Sequence, residues 1–402
     1  MASNYAFETE AVHAGERQPA PDGLPTTTPL YVNSTYIYKT VEQMDAVLGG
    51  QTAGYVYNRY GSPTLTALET ALATLERGAA AVAFGSGMAA LHAALLLCEL
   101  QAGDVVLAAH DIYGATLGLL TKLMDPFGVH TRLADFTDAA ALAAALEQAP
   151  RPRALLFEPI SNPVIKVADV KRICQMARRI GTKVIVDSTF SPPCLLQPLE
   201  LGADVVVHSA TKYLGGHGDA TAGAVIIKDD ARAADLRMIS KLAGAILSPF
   251  EAHLIHRGIK TLVIRVERQC ANAMKLAEHL TGHPHVARVH YPGLSIHPQH
   301  LLAGAQFRGG HFGAMMAFEI KDGHQEKAFR FLNALRLIIP ATTLGDVYTE
   351  VSYPPMSSHR EWSEAERRNA GITAGLIRLS AGLEHHEDLW ADLDQALSAA
   401  TR

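Results

Sequence analysis

The chain is predicted to be an α/β protein with a large, mostly parallel sheet followed by a smaller C-terminal α+β unit. Short apolar segments alternate with helix-like segments through much of the first half, which indicates parallel strands joined by right-handed helical crossovers. The 402 residues, 48% of them hydrophobic, can bury a large core. The last third instead mixes Gly/His/Pro-rich loops with single strand-like and helix-like runs. Together these observations favour two domains.

Residues 1–63 are expected to form an extended N-terminal arm. They are rich in Thr, Tyr, Pro and Gly, and the run LPTTTPLYVNSTYIY contains little that could close a core of its own. We assign residues 64–262 to the α/β domain and residues 263–402 to the C-terminal α+β domain.

The predicted elements follow from spacing and breaker residues. LTALETALATLERG places apolar residues three to four apart and ends at Gly78, which predicts a helix. Short buried strands are predicted at 79–84, 105–108, 154–157, 184–186 and 205–207. Further helices are predicted from 89 onward, at 117–128, in DFTDAAALAAALEQ and at 169–180. Beyond 262 we expect a long helix containing 270–280, the strand GAMMAFEI, the helix EKAFRFLNAL and a C-terminal helix.

Composition argues for an enzyme that acts on a small molecule. The formal net charge is -5 and no long Lys/Arg run is present, so neither nucleic acid nor an anionic membrane is an expected partner. The longest apolar stretch, Met88 to Cys98, is too short for a membrane span, and Met1 to Glu16 has no signal-peptide pattern. We therefore expect a cytoplasmic protein. The four cysteines lack CxxC spacing, which favours neither a disulfide framework nor a metal site.

Two apolar segments end on polar residues that could share one ligand. VIV runs into Asp187, and VVV runs into HSATK, which ends at Lys212. Ligands bind beyond the carboxyl ends of parallel strands, so these two side chains could face the same site. Lysine forms imines with carbonyl compounds, and pyridoxal phosphate requires both such a lysine and a carboxylate for its ring nitrogen. The alternative is two unrelated surface charges.

A Gly/Ser turn, Gly85-Ser86-Gly87-Met88, opens the helix that starts near Ala89. Free backbone N–H groups at the start of a helix can hold phosphate without a lysine. The alternative is a plain connection between a strand and a helix, because such turns are common.

Several short motifs in order resemble the Cys/Met-metabolism family of pyridoxal-phosphate enzymes. The resemblance covers nearly the whole chain, and its second half is most similar to the methionine γ-lyases. It rests on Tyr57-x-Arg59 with Ser62-Pro63-Thr64, Ser86-Gly87-Met88, Tyr113-Gly114, Glu158-Pro159, Asn162-Pro163, Asp187, Ser209-Ala210-Thr211-Lys212-Tyr213 and Arg378-Leu379-Ser380. The fold it implies is the fold-type I architecture of pyridoxal-phosphate-dependent transferases.

The resemblance implies roles around the cofactor, pyridoxal 5'-phosphate. Lys212 would bind it covalently and then carry protons, Asp187 would pair with the ring nitrogen, and Tyr113 would stack on the ring and could donate a proton to the leaving group. The remaining cofactor contacts would come from Ser86, Gly87, Met88, Asn162, Ser209 and Thr211. The histidines beside Lys212 offer no metal-ligand set.

Other residues would connect the site to substrate and to a second subunit. Tyr57 and Arg59 on the arm would reach the phosphate in a neighbouring subunit, so the resemblance implies a homotetramer built from active-site dimers. Arg378 would bind the α-carboxylate of an amino-acid substrate.

Three positions bear on the choice of substrate. Methionine γ-lyases typically carry a cysteine where this chain has Ala115, and their Lys-Asp pair is not preserved near Lys241. Cystathionine enzymes tend to place a glutamate soon after a Leu-Gly-Gly turn, where this chain has Tyr348 in the run that begins at Thr343. A substrate with a distal ammonium group would lose its most obvious partner.

We therefore expect a trans-sulfuration enzyme acting at the γ carbon of homoserine-derived amino acids. The first hypothesis is elimination of methionine or cystathionine type, which gives 2-oxobutanoate, ammonia and a thiol. The alternatives are γ-replacement, as in a cystathionine γ-synthase or an O-acylhomoserine sulfhydrylase, and β-elimination from cystathionine or cysteine. A non-catalytic scaffold that kept the fold is a hypothesis of another class.

Overall fold

A computed structural model of the protein describes residues 5–15 and 25–400. Parts of the predicted arm, residues 1–4 and 16–24, lie outside the described residues, as do 401–402. The architecture is built on two β-sheets, one of seven strands and one of five. The predicted α/β class, with a large sheet and a smaller C-terminal unit, is confirmed.

The large sheet is parallel except for one strand. Its strands are β1 Ala80–Phe84, β2 Val105–Ala109, β3 His130–Ala134, β4 Ala154–Phe157, β5 Lys183–Asp187, β6 Val205–His208 and β7 Gly223–Ile227. Their order is β1-β7-β6-β5-β4-β2-β3, with β7 antiparallel to both of its neighbours. Five strands were predicted, whereas β3 and β7 were not.

The central strands are apolar along their whole length because helices cover both faces of a parallel sheet. Every residue of β2, β4 and β6 is buried, and Val, Leu and Ala make up most of them. Strand β3 lies at the edge and is partly exposed, so its sequence HTRLA carries little apolar signal.

The first ten helices belong to the arm and the large sheet. They are α1 Phe7–His13, α2 Val41–Leu48, α3 Pro63–Leu75, α4 Gly87–Leu97, α5 Gly114–Gly118, α6 Ala139–Glu147, α7 Val170–Arg179, α8 Pro198–Leu201, α9 Ala233–Ala243 and α10 Pro249–Ile259. Helix α5 continues as a π-helical stretch, Leu119–Met124. The hydroxyl groups of Ser62 and Ser86 cap α3 and α4 by accepting backbone N–H bonds, which defines where these helices begin.

The small sheet follows a long helix, α11 Leu262–Thr281. Its strands are β8 Val286–His290, β9 Met315–Ile320, β10 Ile339–Pro340, β11 Glu350–Ser352 and β12 Leu376–Ser380, in the order β10-β11-β12-β9-β8. The remaining helices are α12 His300–Gln306, α13 Gln325–Ala334, α14 Glu364–Asn369 and α15 His386–Ala400. Within the described part of the chain, no helix is long and apolar enough to cross a membrane.

Each sheet has its own hydrophobic core. One cluster of buried side chains surrounds the large sheet, and the second, which begins at Ala273, joins α11, α13 and α15 to the small sheet. In the second core the rings of Phe318 and Phe331 meet edge to face with centroids 5.7 Å apart. The domain boundaries at residues 63 and 262 stay predictions.

The described part of the arm is mostly irregular, with Thr35 bridged to Tyr57. Its described residues contain two α-helices that were not predicted, α1 and α2, and Thr40 is the N-cap of α2. Its apolar side chains are largely uncovered in a single chain, since Ile37 is 95% exposed and Val32 is 72% exposed. Side chains of this kind need a covering partner.

The second core gives a stability prediction. Phe331 is fully buried, so Phe331→Ala should lower the free energy of unfolding by about 3–5 kcal/mol through lost burial and a cavity. The urea midpoint, followed by circular dichroism, measures this change. Phe127→Ala is the matched control because Phe127 is 73% exposed and should shift the midpoint little. Equal shifts for the two variants would contradict the assignment of this core.

Candidate active site

A cavity of about 260 Å³ opens where the parallel strands of the large sheet end. Ten of the predicted site residues line it: Ser86, Gly87, Met88, Tyr113, Asn162, Asp187, Ser209, Thr211, Lys212 and Arg378. They come from the ends of β1, β4, β5 and β6, the start of α5, and β12 of the small sheet. The topology therefore brings together side chains that are far apart in sequence.

A larger cavity of about 810 Å³ lies beside α1 and α3. Its acidic groups are already paired, with Glu10 2.8 Å from Arg77 and Glu69 2.8 Å from Arg237. Unlike the smaller cavity, it has no lysine among its lining residues. We therefore place the candidate active site in the smaller cavity.

The carboxylate of Asp187 is held in one orientation by Thr189. Its Oδ1 accepts hydrogen bonds from the backbone N–H of Thr189 at 3.1 Å and from the Thr189 hydroxyl at 2.5 Å. The same hydroxyl oxygen accepts a bond from the N–H of Ser209 at 2.9 Å. Since these bonds occupy Oδ1, the second oxygen of Asp187 is available to a ligand in the cavity.

A second buried carboxyl, Glu158, lies close to Asp187. Its two oxygens accept bonds from the backbone N–H groups of Tyr113 at 3.0 Å and Asn162 at 3.1 Å. Burial raises the pKa of both acids, and the charge of Asp187 raises the pKa of Glu158 further. Of the two, Glu158 therefore keeps its proton to higher pH, and Asp187 is the first to ionise.

The amine of Lys212 is oriented by the C-terminal domain. Its Nζ donates to Oγ1 of Thr343 at 2.7 Å. Burial lowers the pKa of Lys212 and the charge of Arg378 lowers it further, whereas the carboxyls of Glu350 and Asp346 act in the opposite direction. A lowered pKa makes the neutral, nucleophilic amine easier to reach near neutral pH.

The start of α4, where an anion-binding turn was predicted, lines the cavity. The Ser86 hydroxyl accepts the N–H of Ala89 at 3.1 Å. A Cβ on Gly87 would lie 2.8 Å from the Cβ of Ser209, so the two strand-end loops approach too closely for a larger residue. Thr211 also lines the cavity, but its hydroxyl donates to the carbonyl of Ala222 at 3.1 Å and accepts the Ala222 N–H at 2.9 Å. Because its one hydrogen is given to the Ala222 carbonyl, the Thr211 hydroxyl has none left to donate to a phosphate in this arrangement.

Arg378 is buried and faces the cavity from β12. Its Nη1 donates to Oδ1 of Asn162 at 3.0 Å, and its Nη2 donates to the carbonyl of Thr343 at 3.2 Å. Burial lowers the pKa of this guanidinium. Thr343 thus contacts Lys212 through its hydroxyl and Arg378 through its carbonyl, which fixes the amine and the guanidinium relative to each other.

Five predicted residues are not among those that line the cavity of their own chain: Tyr57, Arg59, Ala115, Thr343 and Tyr348. Arg59 donates to the carbonyl of Lys241 at 2.8 Å and lies over the Tyr60 ring at 5.0 Å. Tyr348 is half exposed. Of these five residues, Thr343 still contacts the site, because its Oγ1 accepts the hydrogen bond from Lys212 Nζ at 2.7 Å.

Sequence reasoning missed two residues that organise the site, Glu158 and Thr189. Glu158 directly follows the buried strand β4 and was noted only as part of a family motif. Its position at a strand end is the same signal that identified Asp187. Thr189 lies two residues after Asp187, a spacing at which hydroxyl and carboxylate often bond locally.

Comparison with known proteins identifies the family. Residues 8–398 match the model of the Cys/Met metabolism PLP-dependent enzymes. The chain is 43% identical over 396 residues to an L-methionine gamma-lyase of Pseudomonas putida, covering 98% of each protein. It is 39% identical over 394 residues to an O-succinylhomoserine sulfhydrylase of Pseudomonas aeruginosa, covering 98% of this chain and 96% of that protein.

Solved structures agree with this assignment. The fold matches the crystal structure of cystathionine gamma synthase from Xanthomonas oryzae pv. oryzae in complex with aminoacrylate and cysteine, with a TM-score of 0.92, 36% identity and 99% of each chain covered. It also matches cystathionine gamma-lyase from Lactobacillus plantarum complexed with L-serine, with a TM-score of 0.91 and 34% identity over 99% of this chain and 100% of the other. With both sequence and fold matched over nearly their whole length, the chain belongs to the Cys/Met metabolism family of pyridoxal-phosphate-dependent enzymes.

Proposed function

We propose that the protein is a carbon–sulfur lyase that eliminates a thiol from the γ carbon of methionine or a similar amino acid. The products would be 2-oxobutanoate, ammonia and the thiol. The observation that carries this proposal is the double contact of Thr343 with Lys212 and Arg378. Through this one residue, Arg378, the proposed ligand of the α-carboxylate, and Lys212, the proposed base, are held in a fixed arrangement relative to each other.

The side chains around the cavity fit pyridoxal phosphate. Lys212 supplies the amine, Asp187 supplies a carboxylate with one free oxygen for the ring nitrogen, and the start of α4 with Ser209 supplies donors for the phosphate. When bound, pyridoxal phosphate withdraws electrons from the bonds at the substrate α carbon. The ionised carboxylate of Asp187 maintains this capacity by keeping the ring nitrogen protonated.

The protein's own groups then move the protons. Lys212, whose pKa is lowered by burial, takes a proton from the α carbon and passes protons to and from the neighbouring carbon. The hydroxyl of Tyr113 lines the same cavity and is the proposed donor to the departing sulfur. Arg378 holds the carboxylate still, so that the Lys212 amine reaches the same hydrogen in every cycle.

The cavity wall favours a substrate with an uncharged γ substituent. Ile160, Phe190 and Leu344 make part of the wall apolar. The carboxyls among the described lining residues are Asp187 and Glu158. Both oxygens of Glu158 accept hydrogen bonds, and the free oxygen of Asp187 is the one proposed to pair with the ring nitrogen. A thioether such as that of methionine meets no unsatisfied polar group there, whereas a distal ammonium finds no free acid. Ala115 and Tyr348 are the proposed outer specificity positions.

A γ-replacing synthase is the second candidate. The identity of 39% to an O-succinylhomoserine sulfhydrylase and the TM-score of 0.92 with a cystathionine gamma synthase support it. Elimination and replacement both need the same acid–base groups at the α and β carbons. They differ in whether a nucleophile adds at the γ carbon before the product is released.

The active form is proposed to be a cytoplasmic homotetramer built from active-site dimers. Two observations support a contribution of the arm to a neighbouring subunit. The apolar side chains of the arm are exposed, and Tyr57 and Arg59 are not among the described residues that line the cavity of their own chain. The rings of Tyr57 and Tyr60 flank the Arg59 guanidinium at 5.7 and 5.0 Å and hold it in place. All four cysteines are free thiols, which suits a reducing compartment.

Substrate assays test the reaction type. Purified holoenzyme with methionine alone should release 2-oxobutanoate and a volatile thiol, while cystathionine should react more slowly because its distal ammonium lacks a partner. O-acylhomoserines with and without an added thiol complete the panel, with 2-oxobutanoate measured in each reaction. Product formation only when a nucleophile is added would overturn the lyase proposal and favour the synthase.

Lys212→Ala tests the acid–base role. We expect kcat to fall by at least about 10³-fold because the proton carrier is lost, while circular dichroism stays unchanged. Lys171→Ala is the matched control, since Lys171 is exposed on α7, and it should retain parental activity. Substantial turnover by Lys212→Ala would contradict the assignment.

Complementation between two inactive variants tests the neighbouring-subunit role of Arg59. Lys212→Ala and Arg59→Ala chains are co-expressed with different affinity tags, and the mixed oligomer is purified through both tags. If Arg59 serves the neighbouring site, one site per mixed dimer has both residues and activity returns. If Arg59 serves its own chain, no site is complete and the mixture stays as inactive as its parents.

A further inference from the structure

A buried acid, Glu350, lies behind Lys212 on the small sheet. Glu350 of β11 is paired with Ser380 of β12, and Ser352 is paired with Arg378. Paired residues, and residues two apart on one strand, point to the same face of a sheet. Glu350 therefore projects from the face that presents Arg378 to the active site.

The loop that contacts Lys212 is tied to this face. The N–H of Gly345 donates to Oγ of Ser380 at 2.8 Å, directly across from Glu350. Thr343, two residues earlier, accepts the hydrogen bond from Lys212 Nζ. The carboxyl of Glu350, the amine of Lys212 and the guanidinium of Arg378 thus belong to one cluster around a single loop.

One carboxylate oxygen of Glu350 lacks a hydrogen-bond partner in this cluster. It is 5% exposed, and its Oε2 has no hydrogen-bond partner within the described chain. The hydroxyl of Tyr213, next to Lys212 in sequence, is likewise buried and unpartnered among the described residues. A buried carboxylate without hydrogen bonds is unfavourable unless a nearby positive charge stabilises it. Lys212 and Arg378 are the positive charges that interact with it.

The other acids near Glu350 have partners. Asp346 Oδ1 accepts the N–H of Val347 at 2.7 Å, and both oxygens of Glu384 accept bonds from Thr349 at 2.7 Å. Burial raises the pKa of Glu350 to about 7, and the charges of Asp346 and Glu384 raise it, while those of Lys212 and Arg378 lower it. Glu350 therefore loses its proton near neutral pH, and the positive charges of Lys212 and Arg378 stabilise the carboxylate that results.

We propose that Glu350 is a positioning residue that acts as the counter-ion of Lys212 and keeps the Lys212 nitrogen protonated to higher pH. The proposal rests on the proposed role of Lys212 as the amine that holds the cofactor and carries the proton. Arg378 disfavours a positive charge on that nitrogen, and Glu350 offsets this effect from the same sheet face. Glu350 would thus set the pH range in which Lys212 can donate and accept protons.

Spectroscopic titration of the holoenzyme tests this inference without measuring turnover. The visible absorption of bound pyridoxal phosphate is recorded against pH, and its midpoint reports loss of the proton from the nitrogen of Lys212. Glu350→Gln removes the negative charge and should lower this midpoint by about one pH unit. Glu350→Asp keeps the charge and should restore most of the shift. If Glu350→Gln folds poorly, Glu350→Asp still tests the proposal, because its midpoint should stay near that of the parent.

Glu319→Gln is the matched control. Glu319 is a partly buried acid on β9 of the same sheet, where it pairs with His290 at 2.8 Å. Its replacement should leave the midpoint unchanged. An unchanged midpoint in a folded Glu350→Gln holoenzyme would overturn the counter-ion role. That result is distinct from turnover by Lys212→Ala, which would overturn the proposed function instead.

Discussion

Burial of several ionisable groups in one small cavity is the constraint on which the rest of this structure depends. Asp187, Glu158, Lys212 and Arg378 are all largely removed from water, and an ionised side chain there is unfavourable without partners. The fold supplies those partners from backbone N–H groups, the Thr189 hydroxyl and the two contacts of Thr343. The two hydrophobic cores hold the segments that carry these partners in position. The contacts that stabilise the fold therefore also fix the geometry of the cavity.

The parts of the fold and site that the sequence predicted are those with a local signal. Asp187 and Lys212 each follow an apolar run, and Ser86 opens a helix, so a position at a strand end was enough to identify them. Strand β3 was missed because an edge strand needs no continuous apolar run. Strand β7, GAVII, was missed because it directly follows a Gly-rich loop and begins with a glycine, which obscures where the strand starts. Glu350 was missed for another reason. Its place beside Arg378 follows from strand register, which joins positions distant in sequence.

The residues proposed for the chemistry could be predicted from local sequence signals, whereas those proposed for substrate choice could not be assigned in this way. Lys212, Asp187 and Arg378 form one cavity in one chain, which explains why the family could be inferred from short motifs. Ala115 and Tyr348 lie outside that cavity, and Tyr57 and Arg59 project from an arm whose apolar residues are uncovered. Features that depend on a second subunit leave no periodic pattern within a single sequence. Relatives with different reactions share this scaffold, so substrate choice depends on a few side chains at its edge.

Lys212 lies in a loop whose two ends are joined by the two hydrogen bonds between Thr211 and Ala222. A loop closed in this way has little conformational entropy left to lose when a ligand binds, and it cannot open without breaking its own anchors. The amides around Lys212 should therefore exchange their hydrogens as slowly as those of the buried strands beside them. The Lys212 amine is thus carried by a segment whose two ends are tied together.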